Sequence, residues 1–140
     1  MPKAWLGSPG PSEDGSQWVT ESSCIVYVMP VSGSFIAKSG ITGAVVVPSS
    51  TNASLVINGA LTYVNGLGGG EVVLKEGTYP INDPITFLGN NLVLSGLGRA
   101  SFLNGNGLAT GENAIVISAR TDCVVRNLSV QTQAGGGKTC

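Results

Sequence analysis

Apolar residues along the chain fall into short runs that turn-forming residues separate. Residues 24–29 form a β-branched and aromatic run that ends at Pro30, and residues 44–47 form a second run that ends at Pro48. Branched and aromatic side chains favour an extended backbone, and proline interrupts the hydrogen-bonded ladder, so both runs predict strands. Between them, three glycines indicate turns: Gly33, Gly40 and Gly43.

The pattern changes to a helical period in residues 51–66. Four apolar residues there are spaced at i, i+3, i+4 and i+7, as expected for one face of an amphipathic helix: Ile57, Ala60, Leu61 and Val64. Asn52 or Ser54 can cap the start of this helix, and Gly66 stands where a helix commonly ends in the left-handed region. The sequence therefore predicts one helix.

Short apolar runs follow the predicted helix as far as residue 130. They cover residues 72–74, 79–81, 85–87, 92–94, 102–103, 114–117, 123–125 and 128–130. Similar strands recur about every twenty residues, at 72–74, 92–94 and 115–117, which is typical of a coil that stacks on itself. We expect successive coils to pair in parallel, with tight corners at Asn90, Asn91 and Asn104, because asparagine tolerates a left-handed backbone.

The segment that follows the predicted helix resembles a known family. Its features are a glycine-rich turn at 68–70, a Val-x-Leu strand at 72–74 and a Gly-Thr-Tyr-x-Ile stretch at 77–81, with a second strand and turn at 92–98. This order is similar to the opening of the pectate-lyase-like single-stranded β-helix superfamily, over residues 52–130. The resemblance implies a right-handed parallel β-helix behind a capping helix. The superfamily includes polysaccharide lyases, glycoside hydrolases and bacteriophage tailspikes, so it implies a fold more firmly than a function.

Residues 1–22 are rich in proline and glycine and show no sustained period, so they predict an extended arm. The arm carries three large apolar residues, Trp5, Leu6 and Trp18, that are unfavourable in water and that we expect to contact a partner. The alternative is that the tryptophans fold back onto their own domain. We divide the chain into residues 1–50, an arm and strands for attachment and assembly, and residues 51–140, a capping helix and short β-helix with a flexible C-terminal tail.

Composition narrows the range of functions. The net charge is −1 and charged residues make up 11% of the chain, so there is no basic stripe to favour nucleic acid or an anionic membrane. There is no histidine, which removes the commonest general base and metal ligand. The three cysteines, Cys24, Cys123 and Cys140, form no CxxC motif, so neither a zinc site nor a disulfide framework is indicated. We predict no cofactor and no metal.

Three candidate chemical motifs each have an ordinary structural explanation. Gly96-x-Gly98 begins like a dinucleotide-binding turn, but the next residues read as a strand and not as a helix. Residues 137–139 resemble the end of a phosphate-binding loop that lacks its first glycine. After the helix, Asp83, Glu112 and Asp122 are the candidate acid and base carboxylates, and they stand at turn-type positions or apart from one another.

Together these observations favour a non-enzymatic structural protein of all-β class. The absence of a signal peptide or long apolar segment predicts a soluble protein made in the host cytoplasm. A short solenoid needs caps or partners, and by analogy with phage spikes we expect a homotrimer that binds the major capsid protein or another virion protein. The leading hypothesis is a bacteriophage capsid decoration (cement) protein. The alternatives are the N-terminal part of a β-helical polysaccharide lyase, hydrolase or tailspike, and a carbohydrate-binding module.

Overall fold

The computed structural model describes residues 23–132, which form mostly β-structure with one α-helix. In chain order these residues contain β1 (Cys24–Val28), β2 (Phe35–Ser39), β3 (Val45–Ser50), α1 (Ala53–Gly66), β4 (Gly70–Leu74), β5 (Gly77–Pro80), β6 (Ile85–Thr86), β7 (Leu92–Ser95), β8 (Ser101–Gly105), β9 (Ile115–Val116), β10 (Val124–Arg126) and β11 (Ser129–Thr132). A short 3-10 turn at Gly98–Ala100 precedes β8. The predicted arm at 1–22 and tail, including Cys140, lie outside the described residues.

The largest sheet has six strands in the order β10-β7-β4-β1-β2-β3. The strands β1, β4, β7 and β10 pair in parallel, whereas β2 is antiparallel to both β1 and β3. The strands predicted at 24–29 and 44–47 are confirmed as β1 and β3. The sequence analysis missed β2, because it assigned the region between them to turns. Gly33 and Gly43 do adopt positive φ, at 73° and 79°, and each closes a hairpin around β2.

Two smaller sheets are parallel throughout. One has the order β11-β8-β5 and the other pairs β6 with β9. The sequence analysis stacked residues 115–117 on 92–94, and this is wrong. The strand β9 pairs with β6, and the third parallel neighbour in the large sheet is β10. Between β4 and β7, and again between β7 and β10, the chain therefore passes through both smaller sheets. The strands at 72–74 and 92–94 do pair as predicted.

The predicted helix is confirmed as α1, and Asn52 caps it by accepting a hydrogen bond from the Leu55 amide at 3.1 Å. Ser54, the other proposed cap, is buried and accepts hydrogen bonds from the Asn82 and Asp83 amides. Gly66 is the last helical residue, and the positive φ falls later, at Gly68. The helix therefore continues farther than the glycine pattern indicates.

Side chains that point inward from the strands form rows across the parallel sheets. Cys24 pairs in register with Val72, Val72 with Leu94, and Leu94 with Val125. A second row contains Tyr79, Leu103 and Val130, and a third contains Ile85 and Ile115. The apolar side of α1 packs against the same core. Parallel pairing thus places like side chains above one another, and the core is continuous from β1 to β11.

Candidate functional site

The inward rows are covered unevenly at their two ends. Cys24, Tyr79 and Ile85, at the start of the rows, have no exposed surface. The last member of each row is only half-buried: Val125, Val130 and Ile115. Within residues 23–132, the strands β9, β10 and β11 each pair on one side only. The end of the stack that these three strands form is therefore open to solvent.

A groove of about 600 Å³ lies at this open end. Its lining is apolar except for Arg126 and Asn127, and it comprises Ile115, Ile117, Val125, Arg126, Asn127, Leu128 and Val130. The groove exists because each inward side chain of the last strands has a neighbour below it and none above it in the described chain. We call it the open-end groove, and it is the candidate binding site.

The opposite end is covered by α1 and by the hairpins of β1, β2 and β3. Asn58 joins the helix to β6, since its carboxamide donates to the Pro84 carbonyl at 3.1 Å and accepts from the Thr86 amide at 2.9 Å. The edge strand β3 contains Pro48, which cannot donate a hydrogen bond to another strand. The strands of the open end contain no proline. Further polypeptide can therefore pair at the open end more readily than at β3.

A polar cluster connects β4, β7 and β10 on the outer face of the large sheet. Glu71 Oε2 accepts a hydrogen bond from Ser95 Oγ at 2.6 Å and lies 3.1 Å from Arg126 Nη2. Arg126 remains 55% exposed, and an exposed ion pair contributes at most about 1 kcal/mol. This cluster holds successive strands together, and nothing in its geometry resembles an acid and base pair.

The candidate carboxylates do not form a cluster. Asp83 lies in the turn before β6, and its amide donates to Ser54 Oγ. Glu112 Oε1 accepts from the Ala109 amide within its own loop, and Asp122 adopts a φ of 56° at a turn before β10. Among residues 23–132, no three His, Cys, Asp or Glu side chains are placed to hold a metal ion together.

The other sequence motifs also have structural explanations. Gly98 adopts a φ of 77° and begins the 3-10 turn, and β8 follows as the sequence predicted, so no α-helix begins after Gly96-x-Gly98. The motif at 137–139 lies outside the described residues. Burial raises the pKa of the Cys24 thiol from 9.0 to about 11, while the Ile25 backbone amide opposes this shift more weakly. Cys24 is therefore a core residue and not a reactive thiol.

The predicted partner-binding residues Trp5, Leu6 and Trp18 lie outside the described residues. Sequence reasoning did not identify the open-end groove, although the strands at 123–125 and 128–130 were recognised. The groove joins side chains from strands that are separated in the sequence, so no local pattern indicates it. None of the helices in residues 23–132 combines the length and the hydropathy required to cross a membrane.

No protein-family model, curated protein or solved structure matches the chain. The likeness to the β-helix superfamily therefore depends on the residues quoted above, and the assignment of a function depends on the geometry.

Proposed function

We propose that the parallel strands form a short right-handed β-helix of the pectate-lyase-like kind, and that the protein is a structural component of a virion. Support for the fold comes from the three parallel ladders, in which β4, β5 and β6 are followed in the same order by β7, β8 and β9. A chain that returns to the same sheets in the same order follows a coiled path.

The observation that carries the structural role is a packed body that is covered at one end and apolar at the other. Its core is continuous, its charged residues are few, and its carboxylates lie in separate turns. A body of this kind is suited to holding other proteins in position. The role that fits best is a trimeric bacteriophage capsid decoration protein, made in the host cytoplasm and carried on the virion. It binds the major capsid protein or another virion protein through residues 1–22, with contacts drawn from Trp5, Leu6 and Trp18.

Removal of residues 1–22 tests this role. We expect the truncated protein to keep its β-structure by circular dichroism and to lose co-sedimentation with capsids that lack the native protein, because the apolar contacts of the arm are gone. The matched control is Leu55→Gln, which changes an exposed apolar residue on α1 and should bind as the native protein does. Unchanged occupancy of the truncated protein would show that the arm is not the attachment. The mass in solution should correspond to three chains.

One observation favours a second role, as the N-terminal part of a β-helical polysaccharide lyase, hydrolase or tailspike. The half-buried last row of side chains is a surface on which another coil can stack. Under this alternative the catalytic residues lie on further coils, because Asp83, Glu112 and Asp122 stand in separate turns of the described chain. Cleavage of pectin or alginate by this chain, abolished by Asp83→Ala or Asp122→Ala, would refute the non-enzymatic role.

A further inference from the structure

The size of the open-end groove restricts what can occupy it. Seven residues line its volume of about 600 Å³. A stable interface between two folded proteins engages roughly 20–30 residues on each side. The groove by itself therefore has the dimensions of a site for one or two large side chains. Since its walls are mostly aliphatic, the side chain that fits is a bulky apolar one.

The N-terminal segment begins within reach of the groove. Ser23 is fixed at the start of β1, where its Oγ accepts a hydrogen bond from the Glu71 amide. Cys24 and Val125 belong to the same row, three strand spacings apart, which is about 14 Å. Trp18 precedes Ser23 by five residues, and five extended residues span about 17 Å. The Trp18 side chain can therefore reach the groove along the outside of the sheet.

We propose that the indole of Trp18 from the same chain occupies the open-end groove and covers the last row of the core. Residues 133–140 offer no competing side chain of this kind, because they contain no aromatic or large aliphatic residue. Trp5 is a less favourable occupant, since its docking would order many more intervening residues. The N-terminal segment thereby acts as a cap, as α1 does at the other end.

This inference stands independently of the virion role, because it depends only on the groove and on the reach of the segment. Within the proposed arm it assigns Trp18 to the protein's own core. Trp5 and Leu6 are left as the contacts for a partner. An experiment can therefore disprove attachment of the arm to capsids without disproving that Trp18 occupies the groove, and the reverse also holds.

Tryptophan fluorescence of the full chain tests the proposal. Trp5 and Trp18 are the two tryptophans, so the Trp5→Phe variant reports on Trp18 alone. We expect its emission to be blue-shifted, and acrylamide quenching to be weaker, than in the urea-unfolded chain. Adding Ile117→Gln in the groove should remove both effects, whereas adding Leu55→Gln, on a similarly exposed residue of α1, should leave them. A solvent-like emission of Trp18 in the folded Trp5→Phe protein would overturn the proposal.

Hydrogen exchange provides a second measurement that does not depend on the groove variant. Trp18→Ala should accelerate amide exchange in Val124–Arg126 and Ser129–Thr132 on the order of tenfold, and Trp5→Ala should not. Equal effects of the two variants would contradict the assignment. Protection of Trp18 that disappears on dilution, together with dissociation of an oligomer, would show that a second copy supplies the indole and would also overturn it.

Discussion

At the scale of single residues, Tyr79 illustrates how a polar group is accommodated in this core. The residue has no exposed surface, and its hydroxyl donates to the carbonyls of Lys75, at 2.8 Å, and Val26, at 3.2 Å. Its ring packs against Phe35 with the centroids 5.5 Å apart. Burial, and secondarily the negative charge of Glu76, raise the pKa of the Tyr79 phenol well above its usual value. The neutral phenol is therefore part of the folded state.

We predict that Tyr79→Phe lowers the free energy of unfolding by about 1 kcal/mol at neutral pH, because the hydrogen bonds from the buried hydroxyl to the Val26 and Lys75 carbonyls are lost. The raised pKa of the Tyr79 phenol also makes the free energy of unfolding depend on pH in the alkaline range. The unfolded phenol ionises near pH 10 and the folded one only at higher pH, so this stabilisation is fully present below about pH 10 and falls as the pH rises above it. Urea unfolding at about pH 8 and about pH 10.5 measures this effect.

The comparison is best made in a Cys24→Ala background, since the raised pKa of the Cys24 thiol produces a similar loss between pH 9.0 and about 11. In that background, Tyr79→Phe should lose less stability between the two pH values than the protein that retains Tyr79. An equal loss in both would mean that the phenol ionises alike in the folded and unfolded states.

At the scale of elements, polar side chains fix the position of α1. Ser54 accepts a hydrogen bond from the turn before β6, and Asn58 accepts one from Thr86 in β6. The apolar face of the helix contributes most of the side-chain area that α1 buries. Apolar packing alone is weakly directional, since a helix can slide over an aliphatic surface at little cost. The two polar contacts thus determine where the helix lies along the core.

We predict that Asn58→Ala lowers the free energy of unfolding by about 2 kcal/mol, because the Thr86 amide loses its acceptor and the Pro84 carbonyl keeps only the longer contact from Thr86 Oγ1 at 3.4 Å. Asn52→Ala should cost about 1 kcal/mol through loss of the N-cap. The control is Thr62→Ala on the exposed side of α1, which should change stability by less than about 0.5 kcal/mol. Urea unfolding measures all three, and a cost of Asn58→Ala no greater than that of Thr62→Ala would refute the positioning role.

At the scale of the whole molecule, the stack is expected to be unequally stable along its length. In a stack of parallel strands each strand is stabilised mainly by its neighbours, and a terminal strand has one neighbour fewer. The strand β4 lies between β1 and β7 and contacts α1, and β5 contacts α1 and β1 besides pairing with β8. The strands β10 and β11 lie at the open end. The inward residues of these last strands are only half-buried.

We therefore predict that amide protection against hydrogen exchange decreases from β4 through β7 to β10. The free energies of opening should approach the global value at Val72 and Leu74 and be lower at Val124–Arg126. Exchange followed by mass spectrometry on the full chain measures the gradient. Uniform protection across β4, β7 and β10 would indicate that the open end is as firmly held as the covered one.

Local patterns in the sequence were sufficient to predict the elements with strong periodicity. The 3.6-residue stripe at Ile57, Ala60, Leu61 and Val64 predicted α1, because residues at this spacing lie on one face of a helix. The apolar runs predicted most of the short strands, and composition predicted that no histidine chemistry is present. These features depend on neighbouring residues, so they can be recognised without the fold.

Only the tertiary structure decided which strands pair and where the groove lies. Residues 115–117 and 124–126 both carry apolar side chains, and only the fold shows that β10 rather than β9 pairs with β7. The strand β2 was missed because its extended state depends on β1 and β3 on either side of it. The open-end groove is a property of whole rows of side chains, formed by residues far apart in the sequence, since each row takes one residue from each paired strand and ends where pairing stops within residues 23–132.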